Sequence, residues 1–361
     1  GGKKEMVARE LVDNAAAKLR VLIENTFCKD NTIYIRGLRL TPGLMKGVDT
    51  SNYKFCVMQE GGMTNIREME SIGSSADKTL SDDGNFGMGS RTSTLSWSDL
   101  CYITRKNGVA QMLILGVRQK KVKVLTPVGD VTQWVEDNAK ERNYPDGDFT
   151  EVMLLGREGD MTQNTVQNPW VGKQASGKNS VAGNFWTASL HRRFVEMPHK
   201  IVFQRAKTDA GNTYAAGKDS ATFGRNFITW HEAFMKANTK TRPNKDWIYD
   251  VVIAKEDPAI KLHYYFDPKM TNSKGKEIPI STGSTQSMSS AAFSGLIWKS
   301  TNGYREYFDV QVGSAKTVTD QMAGIVGGQD HFRMFVELPT VGYEPNDTRT
   351  GLRTEEDLED R

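Results

Sequence analysis

Two polar side chains near the start of the chain have the types and spacing for chemistry on phosphates. Glu10 and Asn14 stand four residues apart, a spacing that places both on one face of a helix. A carboxylate can activate water, and a carboxamide oxygen can help to hold a hard cation such as Mg²⁺. When this spacing occurs alone, a surface capping pair is the commoner interpretation.

The segment that must position this pair is predicted to be an amphipathic helix over residues 4–25. Leu11, Ala15, Leu19 and Leu22 recur at steps of three and four residues, which is typical of a helix with one apolar face.

A glycine-rich segment downstream supplies a second candidate for phosphate contact. Residues 84–90 read GNFGMGS, and glycines at this spacing let backbone amides approach phosphate oxygens without interference from a Cβ atom. Residues 73–83 are rich in Ser, Gly and Asp, so we expect a mobile lid. Further on, Thr150 stands at the entrance of a predicted strand. The glycine pattern is a weak signal when it occurs alone.

The order of these three features resembles the GHKL ATPase superfamily, which groups gyrase-type topoisomerases, ninety-kilodalton heat-shock chaperones, histidine kinases and MutL. The resemblance covers about the first 160 residues and is carried by residues 9–15 (RELVDNA) and 84–90 (GNFGMGS). Residues 74–78 and 84–105 look most like the MORC (microrchidia) branch.

The resemblance implies ATP and Mg²⁺ as cofactors and ATP hydrolysis as the activity. Glu10 would be the general base, Asn14 the magnesium ligand, and Thr150 would lie near the adenine. The other implied nucleotide contacts are Glu60, Gly62, Met63, Lys78, Gly84, Asn85, Phe86, Gly87, Met88, Gly89 and Ser90. In this family, two protomers clamp together on ATP, so a homodimer closing around DNA or a protein client is implied.

Two positions depart from the family pattern. The family reads the adenine amine with an aspartate, but here the matching strand runs into Gln59-Glu60-Gly61-Gly62-Met63 and has no Asp. The acidic position falls on Gln59 or Glu60 if one residue is deleted, or on Met58 without a gap. In addition, Ala17 stands where many relatives carry an acid. The missing aspartate motivates a second hypothesis, a nucleotide-binding or scaffold module that does not hydrolyse.

A rival phosphate motif occurs at residues 172–179, which read GKQASGKN. They match a phosphate-binding loop except that Asn179 replaces the Ser or Thr that ligates magnesium. We interpret this match as chance, with Lys173 and Lys178 left as candidates to approach the terminal phosphate. Arg349 is a third candidate.

Composition describes an ordinary globular protein. The 361 residues are 38% hydrophobic and 25% charged, with a net charge of +3, so no global field argues for DNA binding. Basic clusters at 118–123, 192–193 and 236–245 are interpreted as solvated faces. Three scattered cysteines indicate a reducing compartment. We expect no membrane insertion and a cytoplasmic location, or a nuclear one in a eukaryote, and the chain ends look like cut points of a longer protein.

The predicted fold is a Bergerat-type α/β sandwich, of class α+β, with a mixed, mainly antiparallel sheet that helices cover on one face. It spans residues 1–160; a linker at 161–184 and a smaller α/β transducer-like domain at 185–361 follow. Predicted strands lie at 31–36, 53–58, 100–105, 110–117, 121–128, 152–155, 200–204, 250–254, 260–266, 296–298, 306–312 and 333–338. Predicted helices after the first lie at 63–72, 130–142 and 185–194.

Overall fold

The computed structural model describes residues 4–39, 44, 53–70, 95, 98–156, 172–173, 179–180, 194–208, 211–215, 248–266, 276, 295–299, 305–308 and 332–339. The chain divides into two compact units, residues 1–190 with 199–221, and residues 191–198 with 222–361. Most of the predicted linker, 161–184, lies outside the described residues, so the predicted domain boundaries stay a prediction.

The first unit mixes helices with one large sheet. Its elements are α1 (Lys4–Glu24), β1 (Thr32–Arg39), β2 (Tyr53–Glu60), a 3-10 turn (Ile66–Glu70), β3 (Asp99–Lys106), β4 (Val109–Arg118), β5 (Lys121–Asp130), α2 (Thr132–Arg142), β6 (Phe149–Gly156) and a short β7–β8 ladder (Gly172–Lys173 with Asn179–Ser180). After β9 (Phe194–Glu196), which belongs to the second unit, β10 (Lys200–Thr208) and β11 (Gly211–Ala215) complete the first unit's sheet.

The large sheet has eight strands in the order β11-β10-β1-β2-β6-β3-β4-β5. Only the β1–β10 pair is parallel; the other neighbours are antiparallel. The mixed, mainly antiparallel sheet predicted from the sequence is therefore confirmed. Asn107 and Gly108, with φ of 51° and 82°, form the tight turn between β3 and β4, as an Asn-Gly pair favours.

A helix lies on each face of this sheet, whereas the sequence predicted helices on one face. The α2 face carries a buried cluster of Cys56, Met58, Cys101, Ile103, Met112, Ile114 and Met153, which packs against Val135 of α2. The α1 helix packs against β1 and β2. Its buried residues Leu11, Val12, Ala15, Ala16 and Leu19 lie outside that cluster. The α1 helix therefore covers the opposite face of the sheet, which we call the α1 face. Successive side chains of a strand project to opposite faces, so both faces of this sheet carry apolar side chains that a helix can bury.

In its described part, the second unit consists of strands: β9, β12 (Ile248–Ile253), β13 (Lys261–Phe266), β14 (Gly295–Lys299), β15 (Arg305–Phe308) and β16 (Phe332–Leu338). They form a sheet in the order β12-β13-β16-β14-β15-β9, with β14 and β16 parallel. Of the helices that the structure describes, neither has the length and apolar content to cross a bilayer.

Candidate functional site

Three charged side chains are buried together on α1. Arg9 is fully buried, and its Nη1 donates to Oε1 of Glu10 at 2.7 Å and to Oδ2 of Asp13 at 3.2 Å. Glu10 and Asp13 are only 5% and 4% exposed. Burying charges in this way is costly unless they are paired, so Arg9 fixes the orientation of both carboxylates.

Asn14, one helical turn after Glu10, is in a different environment. Its side chain is exposed and makes no hydrogen bond within the part of the chain that the structure describes. A carboxamide with no protein partner can offer its oxygen to a cation or to a ligand. The predicted pair of a held acid and an available amide on adjacent turns is thus present in the geometry.

The other end of the candidate site is the turn that follows β2. Gly61 has a φ of +93°, and a Cβ added there would lie 2.7 Å from Cδ1 of Leu22 and 3.2 Å from Cε of Lys18. This turn therefore touches the last turns of α1. A Cβ at Gly62 would collide with the backbone carbonyl of Arg105 on β3, so only glycine fits this close approach of two backbones.

Two buried threonines fix this turn. The Thr150 hydroxyl donates to the carbonyl oxygen of Gly61 at 2.8 Å, and Oγ1 of Thr104 accepts from the backbone N–H of Met63 at 2.8 Å. The two hydroxyls lie 3.2 Å apart, and both residues are 1% exposed. Gly62, Met63 and Thr150 are therefore brought together, and their contacts with a nucleotide stay a prediction.

Glu60 faces a different set of groups. Its Oε2 accepts from the backbone N–H of Lys29 at 2.8 Å and from that of Asp30, and the Cys28 Sγ lies 3.8 Å away. Glu60 thus ties the loop after α1 to the end of β2. Its nucleotide role stays a prediction, and any contact with a base would involve the other carboxylate oxygen.

Gln59, the alternative to Glu60 in the sequence, lies on the α1 face. It is paired with Thr150 across the β2–β6 ladder, and directly paired residues project to the same face of a sheet. Gln59 is 7% exposed, and its carboxamide makes no hydrogen bond within the described residues. The alternation along β2 could have indicated this, but only once the pairing of Gln59 with Thr150 was known.

The two parts of the site lie along one helix. Glu10 and Lys18 are eight residues apart, so the acid lies about 12 Å along the axis from the side chain that reaches Gly61. Asn14 lies between them. The carboxylate and the amide therefore lie on α1 on the N-terminal side of the residues that contact Gly61.

The glycine-rich segment and several other predicted contacts lie outside the described residues. These are Lys78, Gly84, Asn85, Phe86, Gly87, Met88, Gly89, Ser90, Lys178 and Arg349. Their roles stay predictions.

The rival phosphate-loop motif has the wrong local structure. Gly172 and Lys173 pair with Ser180 and Asn179 as a two-stranded ladder. A phosphate-binding loop continues into a helix at the position of Asn179, so the strand here supports the interpretation that the motif match is chance.

On the α2 face lies a buried charge network that the sequence did not predict. Glu151 accepts from Nη2 of Arg36 at 2.7 Å, from Nη2 of Arg142 at 3.2 Å and from the Tyr144 hydroxyl at 2.6 Å. Burial alone would raise the pKa of Glu151, but the two guanidinium groups outweigh it and lower that pKa to about 2. The network anchors the C-terminal end of α2 to the strand that carries Thr150.

Comparisons with known proteins find similar solved structures at low sequence identity. No protein-family model matches the chain, and no curated protein matches it. Similar solved structures include the ATPase region of Saccharomyces cerevisiae topoisomerase II bound to ICRF-187 (dexrazoxane), with 11% identity, a TM-score of 0.45, and coverage of 99% of this chain and 79% of that one. The N-terminal domain of a DNA repair protein has 10% identity and a TM-score of 0.45, over 98% and 89% of the two chains. The B-subunit of the DNA gyrase from Myxococcus xanthus has 9% identity and a TM-score of 0.39, over 98% and 86%.

Proposed function

We propose that the α1 face binds a nucleoside triphosphate with Mg²⁺ and hydrolyses it slowly. The observation that carries this proposal is the arrangement along α1: a buried, oriented acid, Glu10, stands one turn from an exposed and unpartnered amide, Asn14. Hard oxygen donors of this kind suit magnesium, so the residues present fit the cation that the proposal requires.

Each residue has a distinct role in the proposal. Asn14 presents its amide oxygen to the cation, which neutralises charge on the phosphate oxygens. Glu10, whose Oε1 accepts from Arg9 at 2.7 Å, positions the attacking water and accepts its proton. The Gly61–Gly62 turn, held by Thr150, receives the base. Backbone amides of residues 84–90 cover the phosphates.

The proposed output is mechanical. Nucleotide binding closes the glycine-rich lid and favours a homodimer, and the closed dimer encloses DNA or a protein client. Filter binding of DNA at two salt concentrations distinguishes the two kinds of partner, because contacts to phosphates lose affinity steeply as salt rises.

The test separates binding from hydrolysis. In Glu10→Gln, we expect ATP to bind in the presence of Mg²⁺ with nearly wild-type affinity in isothermal titration, while phosphate release falls by about 10²–10⁴-fold, the usual contribution of a general base. In Asn14→Ala, we expect magnesium-dependent binding to weaken.

A matched control is available on the same helix. Glu24 is exposed at the C-terminal end of α1, so Glu24→Gln should leave both binding and phosphate release unchanged. Wild-type turnover in Glu10→Gln would remove the acid from the mechanism, and wild-type affinity in Asn14→Ala would remove the amide.

A second candidate function is nucleotide binding without hydrolysis. The 2.7 Å ion pair between Arg9 and Glu10 favours it, because it occupies one of the two oxygens that could accept a proton from water. Single-turnover measurement with excess protein decides between the two: bound ATP that stays intact over hours, with Mg²⁺ present, supports the non-hydrolysing module.

A further inference from the structure

Gln59 is a mostly buried polar side chain for which the described residues supply no partner. It is 7% exposed, and within the described residues no group donates to its carboxamide oxygen or accepts from its nitrogen. Neither polar atom of Gln59 is among the fully buried unsatisfied atoms of the described residues, so the amide keeps some contact with solvent. An amide that is accessible and unpaired in this way is available to a ligand.

The hydroxyl groups near Gln59 already have hydrogen-bond partners within the protein. The Thr150 hydroxyl, opposite Gln59 in the ladder, donates to the Gly61 carbonyl at 2.8 Å. The Thr104 hydroxyl lies within hydrogen-bond distance of Thr150 Oγ1 and of the Phe149 carbonyl. Each hydroxyl has a single proton to donate. The end of β2 therefore presents one group that can both donate and accept, the Gln59 amide.

Glu60 does not supply a competing group on the same face. It follows Gln59 directly in β2, so its side chain projects to the other face of the sheet. Its Oε2 is held by backbone amides of the loop after α1. A ligand at the Gly61 turn on the α1 face therefore meets the amide of Gln59, whereas the side chain of Glu60 projects to the other face.

We propose that Gln59 reads the nucleotide base and that the site accepts adenine and guanine nucleotides with similar affinity. This inference rests on the proposed function, since it presumes a nucleotide along α1. A carboxylate only accepts, so it matches the exocyclic amine of adenine and opposes the carbonyl oxygen of guanine. An amide has one oxygen and one NH₂ group.

The Gln59 amide can pair with either purine base, because a rotation of half a turn exchanges the positions of its oxygen and its nitrogen. With adenine, its oxygen accepts from the exocyclic amine and its nitrogen donates to N1. With guanine, its nitrogen donates to O6 and its oxygen accepts from N1–H. Both pairings use the same two atoms of Gln59 and leave no buried group unpaired, so the site has no basis for strong discrimination.

The experiment measures the affinities for ATP and GTP, each with Mg²⁺, by isothermal titration on the full chain. In the wild type, we expect the two dissociation constants to lie within about tenfold of each other, which is 1.4 kcal/mol or less. In Gln59→Glu, we expect the ratio to shift in favour of ATP by more than about tenfold, because the new carboxylate opposes the guanine oxygen.

Two further variants keep the test decisive if the added charge prevents folding. Gln59→Met keeps the length of the side chain and removes both hydrogen-bonding atoms, so affinity for both nucleotides should fall about tenfold while their ratio stays near that of the wild type. Gln119→Glu makes the same chemical change on the exposed turn between β4 and β5 and should alter neither affinity.

The outcomes separate this inference from the proposed function. Wild-type protein that binds ATP but binds GTP more than about a hundredfold more weakly would overturn the base-reading proposal and leave nucleotide binding intact. A ratio that changes in Glu60→Gln but not in Gln59→Glu would transfer base reading to Glu60 and overturn it as well. Failure of the folded wild type to bind any purine nucleotide would overturn both proposals together.

Discussion

Replacing Glu151 by glutamine is expected to destabilise the first unit by about 3–5 kcal/mol, the usual effect of removing one partner from a buried ion pair. Glu151 is fully buried, and its carboxylate lies between two buried guanidinium groups, at 2.7 Å from Arg36 and 3.2 Å from Arg142. Glutamine keeps the shape of the side chain but removes the negative charge that both guanidinium groups face.

A comparison with Arg36 makes the prediction sharper. Among the described residues, Arg36 and Arg142 both pair with the carboxylate of Glu151, and Nε of Arg36 is buried there without a hydrogen-bond partner. In Arg36→Met, one cation and the unsatisfied atom disappear together, and Glu151 keeps Arg142 and Tyr144. The carbonyl oxygen of Arg142 loses a donor, so the expected cost is about 1–3 kcal/mol.

Urea denaturation followed by circular dichroism measures both variants, and hydrogen exchange of peptides that cover α2 and β6 assigns the loss to this unit. Glu136 is exposed on α2, so Glu136→Gln is the matched control and should change stability by less than about 0.5 kcal/mol. A cost for Arg36→Met equal to or greater than that for Glu151→Gln would refute the charge-balance reasoning.

Three other predictions follow from the same structure. The pKa of Glu151 is lowered from 4.5 to about 2, so its contribution is complete above about pH 4.5 and is lost as the pH falls toward 2; acid titration of stability should show a loss of about 3 kcal/mol that is absent in Glu151→Gln. Gly62→Ala should cost about 1–3 kcal/mol in a urea titration because its Cβ would collide with the backbone of β3, whereas Gly147→Ala, where a Cβ meets nothing within 4 Å, should be nearly neutral. In native protein, a thiol reagent at pH 8 should label Cys28, which is partly exposed. Burial raises the pKa of all three thiols, that of Cys101 to about 12. Cys56 and Cys101 are in addition fully buried, so they should react only after denaturation. Three fast-reacting thiols would contradict this prediction.

Local elements of the first unit could be predicted because their patterns are local. The periodic apolar residues gave a helix over 4–25, and α1 spans Lys4–Glu24. The strands expected at 100–105, 110–117 and 121–128 are β3, β4 and β5, each longer than predicted by two residues. Alternation and tight-turn residues determine such hairpins within a short window.

The assembly of the sheet could not be predicted in the same way. The strand β10 pairs in parallel with β1, with Thr32 opposite Lys200, across more than half of the first unit's chain. The local sequence pattern does not indicate which distant strands pair in parallel. The position of α2 on the second face, and the Glu151 network beneath it, depend on the same long-range contacts.

The candidate site was predictable in part for a related reason. Glu10 and Asn14 share a helix, so their relation follows from helical periodicity. The choice between Gln59 and Glu60 depended on which of them pairs with Thr150, and that register joins residues about ninety positions apart. Sequence spacing therefore indicated the acid and the amide, while the choice of Gln59 as the proposed base-reading side chain required the pairing within the sheet.

The most direct test of the central claim is a crystal structure of the full chain with Mg²⁺ and a non-hydrolysable ATP analogue. We predict that the Asn14 amide oxygen lies about 2.0–2.1 Å from the magnesium ion, that a Glu10 oxygen faces the terminal phosphate, and that the base lies against Gln59. A triphosphate bound away from α1, or a Glu10 carboxylate that points into packed hydrocarbon in the complex, would contradict the account.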